Sequence, residues 1–160
     1  MIVLCNTTHQ LLPRKNLTQA IELVLRCEKC RAGEISIVYC GDRFIKKINR
    51  TYLQHDYATD TISFRLNEGK TIEGECYISL DTVRRNARQY KQSFLNELLR
   101  VTIHSVLHLV GYDDETEAQR KVMTEKENDY LARLKRRSKR PSYANCKASK
   151  KNPFKVKELC

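Results

Sequence analysis

Apolar residues recur along this chain in two rhythms, one near 3.6 and one of two, and the changes between them mark out its elements. Ile2–Cys5 is a short apolar run suited to a strand, and Asn6–Lys15, interrupted by Pro13, reads as a loop. Asn16 stands where it can cap a helix whose stripe is Leu17, Ala20, Ile21, Val24 and Leu25, ending before Gly33. Glu34–Cys40 is dense in β-formers and predicts a strand, after which Asp42 caps a short helix carrying Phe44, Ile45, Ile48 and Tyr52. Leu53–Asp60 is polar and without period, hence a loop.

Strict alternation begins at Thr61, with Ile62, Phe64 and Leu66 on one side of a half-buried strand. After the turn Asn67–Lys70, Thr71–Leu80 gives a second strand, and the two are expected to pair as an antiparallel hairpin. Asp81 caps a helix reaching about Tyr90, and Ser93 caps the next, Phe94–Val110. That helix is apolar almost all round, which predicts the buried centre of the molecule. Thr116 and Gln119 form a capping box for a last helix whose stripe is Met123, Tyr130, Leu131 and Leu134. The expected fold is a single α/β (α+β) domain, a mixed sheet of about four strands packed against about five helices.

The central helix carries the chemistry. His104 and His108 stand one turn apart on one face, so both imidazoles can reach a single ion. Gly111 ends the helix in a left-handed turn that can bring the Asp114 carboxylate back as a third ligand. Two imidazoles and a carboxylate with a fourth position for water is the donor set of a catalytic zinc site. On so apolar a helix an unpartnered imidazole would cost about 1 to 3 kcal/mol, which a metal removes. The spacing H-x-x-x-H-x-x-G-x-x-D overlaps the metzincin peptidase pattern H-E-x-x-H-x-x-G-x-x-H, in which the glutamate is the general base. Here Ser105 stands at that position, and a serine cannot accept a proton near neutral pH as a carboxylate does, which argues against a peptidase.

At 160 residues and 41% hydrophobic content the chain suits one folded domain. No signal peptide opens it and no run approaches the roughly 18 apolar residues of a membrane span, so a soluble, cytoplasmic protein is expected. The seven cysteines are odd in number and scattered, unlike a disulfide framework, and Cys27-x-x-Cys30 lacks a second pair to complete a zinc site. The net charge of +11 is unevenly placed. Residues 135–160 hold ten bases against Glu158 alone, so the reading divides a near-neutral domain, 1–134, from a basic, disordered tail, 135–160. Arg136, Arg137 and Arg140 of that tail are candidate phosphate contacts.

The run His104–Asp114 resembles the H-G-x-L-H-L-x-G-Y-D-H signature of the YbeY family of bacterial metal-dependent endoribonucleases. Thr59–Phe64, T-D-T-I-S-F, resembles the family's T-D-V-L-S-F, and Gly74–Ser79, G-E-C-Y-I-S, resembles its G-D-I-x-I-S. The resemblance implies a single-strand-specific endoribonuclease acting in 16S rRNA 3′-end maturation and ribosome quality control. Its expected partners are single-stranded RNA and the small ribosomal subunit, its cofactor one Zn2+, and its reactive group a water on the metal. Three departures stand out. Asp114 replaces the usual third histidine, which lowers the charge of the site, raises the pKa of its water and favours harder ions. Ser105 replaces a glycine, and Leu53 stands where the family carries an arginine thought to serve cleavage. Arg65, Arg84 and Arg85 are the candidate substitutes for that arginine, and Asp113 and Glu97 the acids nearest the site. The competing expectations are a non-catalytic ribosome-associated RNA binder with a structural metal, and a zinc peptidase-like hydrolase.

Overall fold

The computed structural model describes residues 1–138. Its elements are β1 (Ile2–Asn6), α1 (Arg14–Cys27), β2 (Arg31–Cys40), α2 (Asp42–Leu53), β3 (Thr61–Arg65), β4 (Thr71–Ser79), α3 (Leu80–Gln89), α4 (Phe94–Val110) and α5 (Glu117–Ser138). They form one α/β domain around a four-stranded mixed sheet of order β1-β2-β4-β3, in which only the β3–β4 pair, the expected hairpin, is antiparallel.

Strand alternation divides the core in two. Ile35, Ile37 and Tyr39 of β2 and Ile72, Cys76 and Ile78 of β4 turn to the face covered by α1, α3, α4 and α5, where the main apolar cluster lies. Ile62 and Phe64 of β3 and Tyr77 of β4 turn to the other face, against Ile45 and Ile48 of α2. The alternating apolar side of β3 therefore points away from the central helix. What faces α4 is polar: Thr61 Oγ1 meets Ser105 Oγ at 2.7 Å, and Ser63 Oγ donates to the Ser105 carbonyl at 3.3 Å.

α4 is the buried centre that its composition predicts, with Leu98, Ile103 and Leu107 fully enclosed. Burying such a side chain is worth about 1.5–3 kcal/mol. The helix lies so close to β4 that a Cβ on Gly74 would come within 2.7 Å of Leu109 Cδ2 and of the Phe64 carbonyl.

Several helix starts differ from expectation. α1 begins at Arg14, capped by Pro13, so Asn16 lies inside the helix. β2 starts before Gly33, which packs against β4. Gly41, not Asp42, precedes α2, and Ser79, not Asp81, caps α3 by accepting from the Thr82 amide. Both aspartates act across the junction instead. Asp81 Oδ2 accepts the Asp42 amide at the start of α2, while the Asp42 carboxylate accepts from Ser79, Thr82 and Arg85. The Thr116–Gln119 capping box forms in both directions. α5 continues to Ser138, carrying Lys135, Arg136 and Arg137 as its last turn. Among the described residues no helix is long and apolar enough to cross a membrane. Cys40 and Cys76 are buried free thiols, and burial pushes both up to about 12, leaving them protonated near neutrality.

Candidate metal centre

The C-terminus of α4 closes with a Schellman turn. The Tyr112 amide donates to the Leu107 carbonyl and the Gly111 amide to that of His108, both at 3.0 Å, with Gly111 at φ 106°. A side chain at that φ is strained, so glycine is what lets the chain reverse here. The reversal returns Asp114 to the two histidines. Its Oδ2 lies 3.6 Å from His104 Nε2 and 3.8 Å from His108 Nε2, and the two Nε2 atoms are 2.9 Å apart. A tetrahedral zinc with bonds of about 2.0 Å spaces its ligand atoms about 3.3 Å apart. The expected ligand set is therefore brought together at close to coordination size, all three atoms within 4.8 Å of one another.

The protonation of the rings supports the same reading. His104 Nδ1 lies 2.8 Å from Glu127 Oε1, and His108 Nδ1 lies 2.9 Å from the Tyr112 carbonyl. A carboxylate and a carbonyl only accept, so both Nδ1 atoms carry the proton and both Nε2 atoms present lone pairs. Two lone pairs facing each other at 2.9 Å, with a carboxylate oxygen beside them, repel unless a cation sits among them. The residues present fit a divalent ion.

Glu127 was not singled out by the sequence, yet it governs this geometry. It is 7% exposed, and its Oε2 accepts from Arg100 Nη1 at 3.0 Å while Oε1 orients His104. Outer carboxylates of this kind fix the tautomer of a ligating histidine and raise its basicity. Burial works against a charged His104, but Glu127, helped by Asp60 and Asp114, outweighs it and holds the pKa above the usual histidine value. At His108 burial, followed by the charge of His104, pushes the pKa down.

The ligands open into a cleft of about 400 Å³ whose walls include Asn49, Leu53, His55, Tyr57, Asp60, Arg65 and Asp113. Leu53, 44% exposed, stands on this wall and puts no positive charge there. Arg65 also lines the cleft, its guanidinium donating to the carbonyls of Asn67 and Gly69 at 2.7 Å each. Arg84 and Arg85 are not among the lining residues. Arg84 bonds Gln10, and Arg85 is paired with Asp42 at 2.6 Å. Glu97 is not a helix-surface acid: it is 4% exposed, and burial holds its pKa above the usual carboxylate range, with Arg100 opposing. Asp113 does line the cleft. Ser105 turns to β3, bonding Thr61 and the Val101 carbonyl. Arg136 donates along its own helix to Ala132, and Arg137 lines a separate groove with Lys15, Leu99 and Leu134. Arg140 lies outside the described residues.

An α/β domain whose buried helix offers two histidines to an ion, with a carboxylate returned by a glycine turn and a polar cleft above, defines a metal-dependent hydrolase. The family described as Endoribonuclease YbeY matches residues 5–135, and the chain belongs to it. The chain is 65% identical over 133 residues to the Endoribonuclease YbeY of Chloroherpeton thalassium, covering 83% of this chain and 94% of that protein. It is 52% identical over 130 residues to the Endoribonuclease YbeY of Chlorobaculum parvum, covering 81% and 92% respectively. The solution structure of TM1509 from Thermotoga maritima superposes with a TM-score of 0.65 at 29% identity, covering 94% of this chain and all of that one.

Proposed function

We propose that this protein cleaves single-stranded RNA with one Zn2+ held by His104, His108 and Asp114, acting in the cytoplasm on the 3′ end of 16S rRNA within the small ribosomal subunit. The observation that carries the metal-dependent reading is the pair of Nε2 lone pairs facing each other at 2.9 Å beside Asp114. When bound, the ion supplies Lewis acidity, activating water and neutralising charge on the scissile phosphate. The chain's own residues do the rest. Glu127 and the Tyr112 carbonyl hold the Nδ1 protons, so that neither ring can turn its lone pair away from the ion. Asp113 lines the cleft and, among the described residues, has no hydrogen-bond or ion-pair partner, which makes it the carboxylate available to take a proton from water. Arg65 stands at the mouth with its guanidinium plane fixed by two carbonyls, a rigid donor for a phosphate oxygen. The basic segment 135–160, with Arg136, Arg137 and Arg140, adds a sequence-independent contact to RNA on the far side of the domain from the cleft.

Leu53 on the cleft wall favours a second reading, a ribosome-associated RNA binder that keeps the metal for structure. Metal analysis of the wild type and of His108→Ala, each assayed on single-stranded RNA and on a peptide, separates the two. The expected result is about one equivalent of zinc and RNA cleavage in the wild type, with both lost in the variant. Each ligand of such a site contributes about 3 to 4 kcal/mol. Zinc without cleavage of either substrate would establish the second reading.

A further inference from the structure

Above the metal ligands the cleft wall is made by the α2 C-terminus and the loop that follows it, and this wall carries two exposed rings. The His55 and Tyr57 rings stack with centroids 5.3 Å apart and planes 16° from parallel, the Tyr57 hydroxyl 3.2 Å from His55 Nδ1. Tyr57 is 57% exposed. Both line the cleft that contains His104, His108 and Asp114. A solvent-facing ring in a surface loop is ordinarily a mobile side chain. Here the backbone beneath it is fastened at three points: Asn49 Nδ2 donates to the Tyr57 carbonyl at 2.9 Å, the His55 amide donates to the Asn49 carbonyl at 3.3 Å, and Lys46 pairs with Asp56 at 3.5 Å. Asn49 is itself buried. The fold fixes the loop and leaves the rings to the cleft, where they shield no core residue.

The helix that fastens this loop is also where positive charge is concentrated in an otherwise near-neutral domain. Arg43, Lys46, Lys47 and Arg50 stand against Asp42 alone. Lys46, Asn49, Arg50 and Leu53 recur at helical spacing and share one face, and Arg43 lies on the adjoining stripe. Asn49 and Leu53 line the cleft, so the Arg43–Arg50 stripe flanks its rim. Among the described residues neither arginine has an ion pair or side-chain hydrogen bond. Cations following a backbone beside rings that take bases is how single strands are held without sequence readout.

We propose that the α2 face and the His55–Tyr57 stack form the entry track for the RNA strand: Arg43 and Arg50 contact its phosphates, and a base stacks on Tyr57 next to the metal ligands. This rests on single-stranded RNA being the substrate. The track takes over at the cleft rim the phosphate contact that Leu53 cannot make.

The test uses the zinc-loaded full chain and a labelled 2′-O-methyl oligoribonucleotide, whose missing 2′-hydroxyl leaves stacking and phosphate contacts intact. Tyr57→Ala is expected to weaken binding about tenfold with the salt dependence unchanged, and Tyr57→Phe to restore it to within about twofold. Arg43→Ala with Arg50→Ala is expected to weaken binding and to lower the slope of log affinity against log salt by about one. In cleavage of unmodified RNA both changes should appear in KM more than in kcat, with zinc content and unfolding midpoint as in the wild type. Wild-type affinity in Tyr57→Ala, or a Tyr57→Phe as weak as the alanine variant, would overturn the stacking role, and an unchanged salt slope would overturn the phosphate track. Binding through these residues by a chain that cuts no RNA would refute the nuclease reading and leave the track standing. Cleavage indifferent to all three substitutions would do the reverse.

Discussion

Two polar clusters lie along α5, and they differ in one respect. Around Glu28 at the end of α1, a single carboxylate receives three donors: Lys126 Nζ at 2.7 Å, the Tyr112 hydroxyl at 2.9 Å and the Tyr130 hydroxyl. Around His104, His108 and Asp114 every inward atom is an acceptor. The first cluster is electrostatically closed and the second lacks a cation, so donor counting alone separates a cluster that holds the fold from one that holds a ligand. Tyr112 joins them, its hydroxyl bonding Glu28 and its carbonyl bonding His108. The closed cluster is the footing of the open one.

Breaking the open side should have the larger effect. Glu127→Gln replaces the carboxylate that orients His104, and metal affinity is expected to fall 10- to 100-fold by competition with a zinc indicator. Glu28→Gln removes the charge from a three-donor site; about 2 kcal/mol of stability should go in urea unfolding, with zinc affinity within about threefold of the wild type. If Glu28→Gln released zinc as readily as Glu127→Gln, the two clusters would be one unit. A pH series sharpens the contrast. Burial works to raise the Glu28 pKa, but the bonds from Lys126, Tyr130 and Tyr112 outweigh it and hold it below the usual value. A carboxyl whose folded pKa is depressed contributes stability above its unfolded pKa, about 4.3. That contribution is lost as pH falls from there through the folded value, and the loss should be shallower in Glu28→Gln. The smallest effect is expected at Gly74→Ala, where the added methyl must displace Leu109 one residue beyond His108, costing about 1 kcal/mol in thermal unfolding with little loss of metal.

The ligand set was legible because His104, His108, Gly111 and Asp114 are close in sequence, and local helix geometry alone places them. The strands, the hairpin and the central helix were legible for a related reason, since burial writes its period directly into the chain. Glu127 was harder because it is supplied by a distant helix, although it had a signal. It stands four residues after Met123 and three and four before Tyr130 and Leu131, so it is an acid on an otherwise apolar stripe. The helix starts of α1, α2 and α3 were misplaced because an Asp or Asn near a boundary suggests a local cap. Asp42 and Asp81 instead serve each other's helix across a tertiary junction. Likewise the Leu53 substitution could be read from the sequence, but not the arginines and rings of α2 and its loop that flank the same cleft.

Gly111 has a further consequence, for the order in which the site can assemble. Its turn closes the excursion from His108 to Asp114 within a few residues, and closing so short a segment takes little chain entropy. The ligands therefore form a low-contact-order unit that can gather as soon as α4 is helical. The Glu127 contact that stiffens it spans 23 residues and arrives only when α5 docks. An ion could thus be captured loosely by a nascent hairpin of chain and gripped later, which makes α5 docking the step that converts capture into retention.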